Sequence, residues 1–327
     1  MKPRILITGA SGFVGYHLIS AAYDAGMEVH AAIRSSSKIS HLQHFNLRYV
    51  IPDYTDQESL CRLLEEHQYD YIIHAAGITK ARTGAEYDAV NAMYTLNLAQ
   101  AAQKAAIPLK KFVFISSLAA LGPVAYDAAW PVPDGADANP VTLYGKSKLR
   151  AEKYLATMTA LPWIVLRPTA IYGPLEKDLF VLFKTFRKGF EFHMGRGPQQ
   201  LSFVYVKDLA DAVVLALTAP SIQMGYNISD GHTYSRYALA DISRRIFGVR
   251  MLRIHVPLAL AKPAITLLEK VSRGIPLLNN DKLLEVSAPS WNCNIHQIKR
   301  DLGYNPAYNL EKGMKETFEW YTNNKWF

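Results

Sequence analysis

The first half of the chain alternates short apolar runs with stretches whose apolar residues recur at helical spacing. Arg4-Ile5-Leu6-Ile7 has the length and character of a buried strand, and Thr8-Gly9-Ala10-Ser11-Gly12 follows it as a cluster of turn formers. Val14, Leu18, Ala21 and Ala22 then recur with helical period until Asp24-Ala25-Gly26 ends the helix on a glycine. Further strands are predicted at Glu28 to Ile33, Leu47 to Ile51, Tyr71 to His74, Lys111 to Ile115 and Trp163 to Arg167, the last cut off by Pro168. A long helix is predicted from Glu86 to Ala106, with Pro108 beyond its end. This rhythm calls for an α/β fold, a doubly wound parallel sheet with helices on both faces and ligands at the carboxyl ends of the strands.

From Pro174 the rhythm breaks. Segments 174–200 and 232–290 are rich in Phe, Met and Tyr without a clean period. Leu201 to Val206 and Tyr226 to Ile228 read as strands, and Leu310 to Tyr321 as a last amphipathic helix. The expected division is a nucleotide-binding domain over 1–173, with 201–230 returning to it. A smaller mixed lobe for the substrate then takes 174–200 and 231–327.

Gly9, Gly12 and Gly15 fall where the first strand turns into the first helix. In that context the first glycine permits a tight turn, the second lets a pyrophosphate approach bare backbone, and the third lets helix pack on strand. The helix N-terminus offers its N–H groups and positive dipole end to the phosphates. A dinucleotide site is therefore expected, with Ser11, Phe13 and Val14 lining it.

Composition narrows the picture further. The chain has 327 residues, half of them hydrophobic, and no apolar run reaches the roughly 18 residues needed to cross a bilayer. Met1 to Arg4 lead straight into the first strand, which argues against a cleavable signal. Cys61 and Cys293 are the two cysteines, too few for a disulfide framework, so a cytoplasmic setting is expected. Cys and His are scattered, and no metal site is expected. The formal charge of +8 is dispersed and does not call for nucleic acid. One local excess stands out: between Arg250 and Arg273 there are five Lys/Arg and one Glu, threaded through PLALAKPAITLLEKV. It reads first as the wall of an apolar pocket and second as a membrane-surface contact.

The strand ends carry the candidate chemistry. The third closes on Asp53-Tyr54, the fourth on His74-Ala75-Ala76-Gly77, the fifth on Ser116-Ser117 and the sixth on Pro168-Thr169. Asp53 suits the adenine amino group or the cap of the following helix. Tyr144 and Lys148, four apart on a predicted helix, share one face with Cβ atoms about 5–6 Å apart. An ammonium some 5 Å from a phenol, at an effective dielectric near 20, favours the phenolate by about 3 kcal/mol, or roughly two pKa units. That would let Tyr144 exchange a proton with an alcohol or carbonyl oxygen held by Ser117.

These pieces resemble, in order and over nearly the whole length, an extended short-chain dehydrogenase/reductase of the epimerase/dehydratase family, with its Rossmann-type fold. The matching stretches are TGASGFVG at 8–15, Asp53, HAAG at 74–77, VNAMYTLNLAQAA from Val90, FISS at 114–117, YGKSK at 144–148, LRPTAIYGP from Leu166 and FVYVKDLADAV from Phe203. The resemblance implies Tyr144 as acid/base, Lys148 on the nicotinamide ribose, Ser117 on the substrate oxygen with Ser116 beside it, and Asn91 on the cofactor side. Ala75, Ala76, Gly77, Pro168 and Ile171 would line the cofactor. It also implies a homodimer built on the helices corresponding to 86–106 and 144–159.

Three departures refine the expectation. Ile33 stands where NAD-preferring members carry an acid, followed by Arg34-Ser35-Ser36 and Lys38, so NADP is favoured over NAD. Leu118-Ala119 replaces the acid pair of sugar dehydratases. Leu201 stands where nucleotide-sugar epimerases present an arginine to the diphosphate, with Arg196 out of register. The chain thus resembles the dihydroflavonol-reductase and hydroxysteroid-dehydrogenase side of the family. The expected function is hydride transfer between nicotinamide and a ketone/secondary alcohol on a small, lipophilic molecule. A nucleotide-sugar epimerase is the alternative, and a non-catalytic dinucleotide sensor is more distant.

Overall fold

The computed structural model describes every residue except 1, 129, 130, 221, 273, 275 and 277, so the ends of the reading at Met1 and Arg273 lie outside the described residues. A seven-stranded parallel sheet forms its centre: β1 (Arg4–Thr8), β2 (Glu28–Ala32), β3 (Arg48–Val50), β4 (Tyr71–His74), β5 (Lys111–Ile115), β6 (Trp163–Pro168) and, much later in the chain, β11 (Met224–Ile228). Their spatial order is β11-β6-β5-β4-β1-β2-β3, which reverses direction at β1 as a doubly wound sheet must. Side chains alternate faces. Ile5 and Ile7, Ile73, Val113 and Ile115 point to one core, which α1 (Phe13–Asp24) and α7 (Val206–Thr218) close with Leu18, Ile19, Leu209 and Val213. Leu6, Ile72, Phe112 and Phe114 point to the other. There α2 (Gln57–His67), α4 (Tyr94–Lys104) and α5 (Leu143–Ala156) supply Leu60, Leu64, Leu98 and Leu155. Both faces are dry, which is why the strands read as continuous apolar runs.

The predicted helix over 86–106 is three pieces: α3 (Gly84–Tyr87), a π-helical turn at Asp88–Met93, and α4. Within that wider turn the Thr95 hydroxyl donates to the Asn91 carbonyl at 2.8 Å. π turns of this kind concentrate at functional sites, and Asn91 lies inside this one. The strand read over Leu201 to Val206 also divides. Leu201 belongs to β9 (Gln200–Leu201), paired antiparallel with β12 (Tyr234–Ser235), whereas β10 (Phe203–Tyr205) pairs with β7 (Ala170–Tyr172). Between them the Ser202 side chain turns to the His232 carbonyl and Asn292. Only the 224–228 segment enters the main sheet, beside β6.

The remaining elements are α6 (Asp178–Arg187), β8 (Phe190–Met194), α8 (Ala238–Phe247), β13 (Leu252–Val256), α9 (Leu258–Val271), α10 (Asn280–Ser287), α11 (His296–Leu302) and α12 (Leu310–Asn323). They gather around an aromatic core of Tyr172, Phe183, Phe186, Phe203, Tyr205, Phe318 and Tyr321. Phe183 and Phe186 are therefore structural, and Phe180 packs on Tyr321 and Trp326. Phe190 and Phe192 are exposed on β8. On α9, Ala261 and Ile265 are buried, Leu258, Leu260, Leu267, Leu268 and Val271 face outward, and Lys262, Pro263, Thr266, Leu267 and Lys270 line a shallow, open groove.

Candidate functional site

The glycine loop between β1 and α1 is built for close approach. Gly9 has φ +68°, and a Cβ there would stand 2.7 Å from the Ala75 carbonyl oxygen, so the turn presses bare backbone against the end of β4. Helix α1 starts at Gly12 with no side chain capping its first N–H groups and no acid in its first turn. Exposed uncapped N–H groups at a positive dipole end suit a diphosphate. The residues present therefore fit a dinucleotide: Gly9, Ser11, Gly12, Phe13 and Val14 would surround its phosphates, while Gly15 is buried against the Gly9 carbonyl and lets the helix pack on the strand.

A buried hydrogen-bonded chain sets the neighbouring strand end. Thr95 donates to the Asn91 carbonyl, so its oxygen accepts from Nε2 of His74 at 3.0 Å. His74 Nδ1 is then an acceptor, taking the Thr8 hydroxyl proton at 2.8 Å, and Thr8 Oγ1 in turn accepts from the Ala75 and Ala76 N–H groups at 3.1 and 3.0 Å. Burial drives the imidazole pKa down to about 3 from 6.5, with Lys148 adding to the effect, so His74 is neutral. This chain fixes the 75–77 backbone beside the glycine loop. Asn91 is equally held. Its Oδ1 accepts from Ile78 N–H at 2.8 Å, and its Nδ2 donates to the Ile78 carbonyl and to Ser147, each at 3.0 Å.

At the far strand ends, Arg34 to Ser37 form a tight turn after β2, with Ser37 N–H on the Arg34 carbonyl at 2.9 Å. Ser11 reaches Ser37 across from the glycine loop at 3.3 Å. Arg34, Ser35 and Lys38 are exposed there. Asp53 binds the N–H and hydroxyl of Thr55 in its own turn, and the cap of α2 is Asp56, not Asp53. Tyr54 stacks on Tyr94 with ring centroids 5.3 Å apart, roofing the same side. Pro168 closes β6 and Ile171 lies half-buried in β7.

The chemistry-bearing trio meets where β5 ends. The Ser117 side chain caps the short turn at Leu118–Ala120, its hydroxyl accepting from Ala119 N–H at 3.1 Å, and it lies close enough to the Tyr144 phenol to act against the rise in its pKa. Helix α5 approaches closely enough because Gly145 lies against the Ala119 carbonyl, with no room for a Cβ. Lys148 projects inward one turn on, its Nζ donating to the Ile115 carbonyl at 2.9 Å and lying 4.7 Å from the Phe114 ring centroid. Burial brings the Lys148 ammonium down to about 8 from 10.5, against an opposing pull from Glu152.

The expected phenolate is not what the structure gives. Burial raises the Tyr144 pKa above its ordinary value of 10, and the nearby Ser117 hydroxyl offsets only part of that rise. The helical spacing is as expected, but the lysine serves the Ile115 carbonyl, and desolvation of the phenol dominates. Tyr144 is a protonated phenol, a donor.

Three further groups were not anticipated. Ser116 donates to Glu152, which also grips Arg167 of β6 through contacts of 2.8–3.1 Å. Glu152 is four residues beyond Lys148, on the face shared with Tyr144, so the i, i+4 pattern offered a signal for it. Asp281 of α10 accepts from Leu143 N–H at 2.6 Å and Tyr144 N–H at 3.3 Å, bracing the first turn of α5 from the other lobe. His17 of α1 donates to the Pro174 carbonyl at 3.0 Å and is buried, its pKa lowered to about 4. Among the described residues no cluster of His, Cys, Asp or Glu has a metal-binding arrangement.

A model of the NAD dependent epimerase/dehydratase family matches residues 5–229, which contain the glycine loop and the whole Ser117–Tyr144–Lys148 cluster. The chain belongs to that family. It is accordingly an enzyme of the extended short-chain dehydrogenase/reductase type, with a nicotinamide dinucleotide as cofactor. The chain is 26% identical to the sterol-4-alpha-carboxylate 3-dehydrogenase (decarboxylating) of Candida albicans, over 97% of both chains. In fold it is similar to the UDP-glucose 4-epimerase of Thermotoga maritima, solved with UDP-glucose, at a TM-score of 0.81 and 24% identity over 98% of this chain and 99% of that one. The UDP-glucuronic acid 4-epimerase of Bacillus cereus, solved with NAD, gives 0.78 and 21% over the same shares.

Proposed function

We propose that this family member is an NADP-linked oxidoreductase that interconverts a ketone and a secondary alcohol on a lipophilic substrate, with Tyr144 exchanging the proton. The observation that carries this reading is the meeting of Ser117, Tyr144 and Lys148 at the end of β5, where Gly145 packs on the Ala119 carbonyl and Lys148 donates to Ile115. A substrate oxygen placed there would meet two hydroxyls, Ser117 to orient it and Tyr144 to protonate it. Lys148 and Asn91 would hold the cofactor's ribose side, and the dinucleotide supplies the hydride.

The cofactor choice rests on Arg34, exposed after β2 with a turn of serines and no carboxylate where ribose hydroxyls would bind. The substrate class rests on Leu201 and on three arginines of the second lobe that make contacts within the protein. Arg236 binds the carbonyls of Gly197 and Met194, and Arg253 and Arg244 converge on buried Glu191. Leu201 offers nothing to a diphosphate. The relative in Candida albicans acts by its name on a sterol carboxylate, which fits this class. The remaining proposals are a homodimer through α4 and α5 and a cytoplasmic location.

The test is turnover with NADPH and NADH across a panel of sterols, long-chain ketones and nucleotide sugars, with UDP as competitor. NADPH-linked turnover of an apolar ketone and no competition by UDP are expected. Micromolar UDP binding at the substrate site would overturn the reading in favour of a sugar epimerase.

A further inference from the structure

Helix α9 turns the wrong face to water for an ordinary surface helix. Leu260, Pro263, Leu267 and Val271 form one stripe, and Leu260, Leu267 and Val271 are 62–69% exposed. Lys262 and Lys270 run along one flank of that stripe, both exposed. The only acid in the helix, Glu269, turns away to Asn280, accepting its N–H at 2.9 Å and its side-chain amide as well. The neighbouring two-stranded sheet of β8 and β13 carries a further exposed apolar pair. In its parallel register Leu252 opposes Phe190 and Val256 opposes Met194 on one face. Met194 and Val256 are covered by the inner side of α9, whereas Phe190 and Leu252 are left bare.

We infer that this face of α9 docks on an anionic lipid surface, with the leucine stripe entering the headgroup boundary and Lys262 and Lys270 meeting lipid phosphates. Charge complementarity selects this occupant. An apolar stripe edged by lysines and stripped of outward acids is the pattern of helices that lie in a membrane interface. The position is apt, because α10 follows α9 in the chain and carries Asp281 onto the catalytic helix. The lipid contact stands whatever the substrate proves to be.

The test is flotation of the full chain with vesicles of phosphatidylcholine alone and of phosphatidylcholine with phosphatidylglycerol. The wild-type protein should float with the anionic vesicles and be released as salt rises from about 0.1 M to about 1 M, where the Debye length falls from about 10 to about 3 Å. Lys262→Gln/Lys270→Gln should weaken binding roughly thirty-fold, from about 1 kcal/mol per lysine near an anionic surface. Leu260→Ser/Leu267→Ser should abolish it while leaving cofactor affinity unchanged. Equal binding to both vesicle types, or none to either, overturns the inference on the wild-type protein alone. It is also overturned if sedimentation shows a dimer that Leu260→Ser/Leu267→Ser dissociates, since a second copy would then cover the face.

Discussion

Removing the Glu152 carboxylate should cost this fold more than any ion pair on its surface. Glu152 takes three contacts of 2.8–3.1 Å from Arg167 and one from the Ser116 hydroxyl, and the two charged side chains are 8% and 12% exposed. An exposed pair is worth about 1 kcal/mol or less. Here Glu152→Ala would leave a guanidinium inside the protein with the Asp134 carbonyl and the more distant charge of the Asp134 carboxylate, and breaking a buried pair from one side costs about 3–5 kcal/mol. Glu152→Gln keeps an acceptor and should lose less. Glu152→Leu/Arg167→Met removes both charges and should recover most of the loss, since apolar replacement of a buried pair is often neutral. Equilibrium urea unfolding at fixed pH reads all three. A loss below about 1 kcal/mol for Glu152→Ala, or a double variant no better than that single one, would refute the reasoning. The same substitution removes the group that holds up the Lys148 pKa. Lys148 should then titrate below about 8, visible in the pH dependence of cofactor binding.

Tyr144→Phe should leave dinucleotide affinity nearly intact and lower turnover by roughly 10²–10⁴-fold, the usual worth of a positioned proton donor; near-normal turnover would remove Tyr144 from the mechanism. Asp281→Ala should cost about 1 kcal/mol at the start of α5 and lower kcat with cofactor affinity unchanged, with faster amide exchange at Leu143 and Tyr144 and partial rescue by Asp281→Asn. His17 stays neutral in the fold down to about pH 4, while the unfolded chain protonates it near 6.5. Stability is therefore lost as pH falls through that window, by about 2 kcal/mol between pH 7 and pH 5. His17→Gln keeps a donor for Pro174 and should flatten that slope; identical slopes would exclude the histidine.

How far the sequence reaches depends on the range of the interaction. β4 and β5 fall where their apolar runs place them, because a doubly buried parallel strand is a local pattern. The π turn around Asn91 is not local in that sense, since one added residue per turn leaves no mark on an Ala-rich stretch. Tyr144 and Lys148 are four apart on one helix as expected, yet the sign of the phenol's shift came from burial, which helical spacing cannot report. Asp281 acts on Tyr144 from 137 residues away, with no sequence signal linking them. The segment from Leu258 carried a genuine ambiguity: an apolar run reads the same whether it lines a pocket or faces outward.

The order of strands in the sheet has a consequence for how the protein is made. The edge of β6 is covered by β11, which starts at Met224, whereas β6 itself is complete at Pro168. At about 5–20 residues per second, a nascent chain therefore displays Ile164, Val165 and Leu166 on an open edge for several seconds before their partner exists. Such an edge is a template for pairing with another chain. Fragments ending between Thr218 and Met224 should aggregate where the full chain does not, and holding β6 safe until β11 arrives is a task for whatever meets the chain at the ribosome.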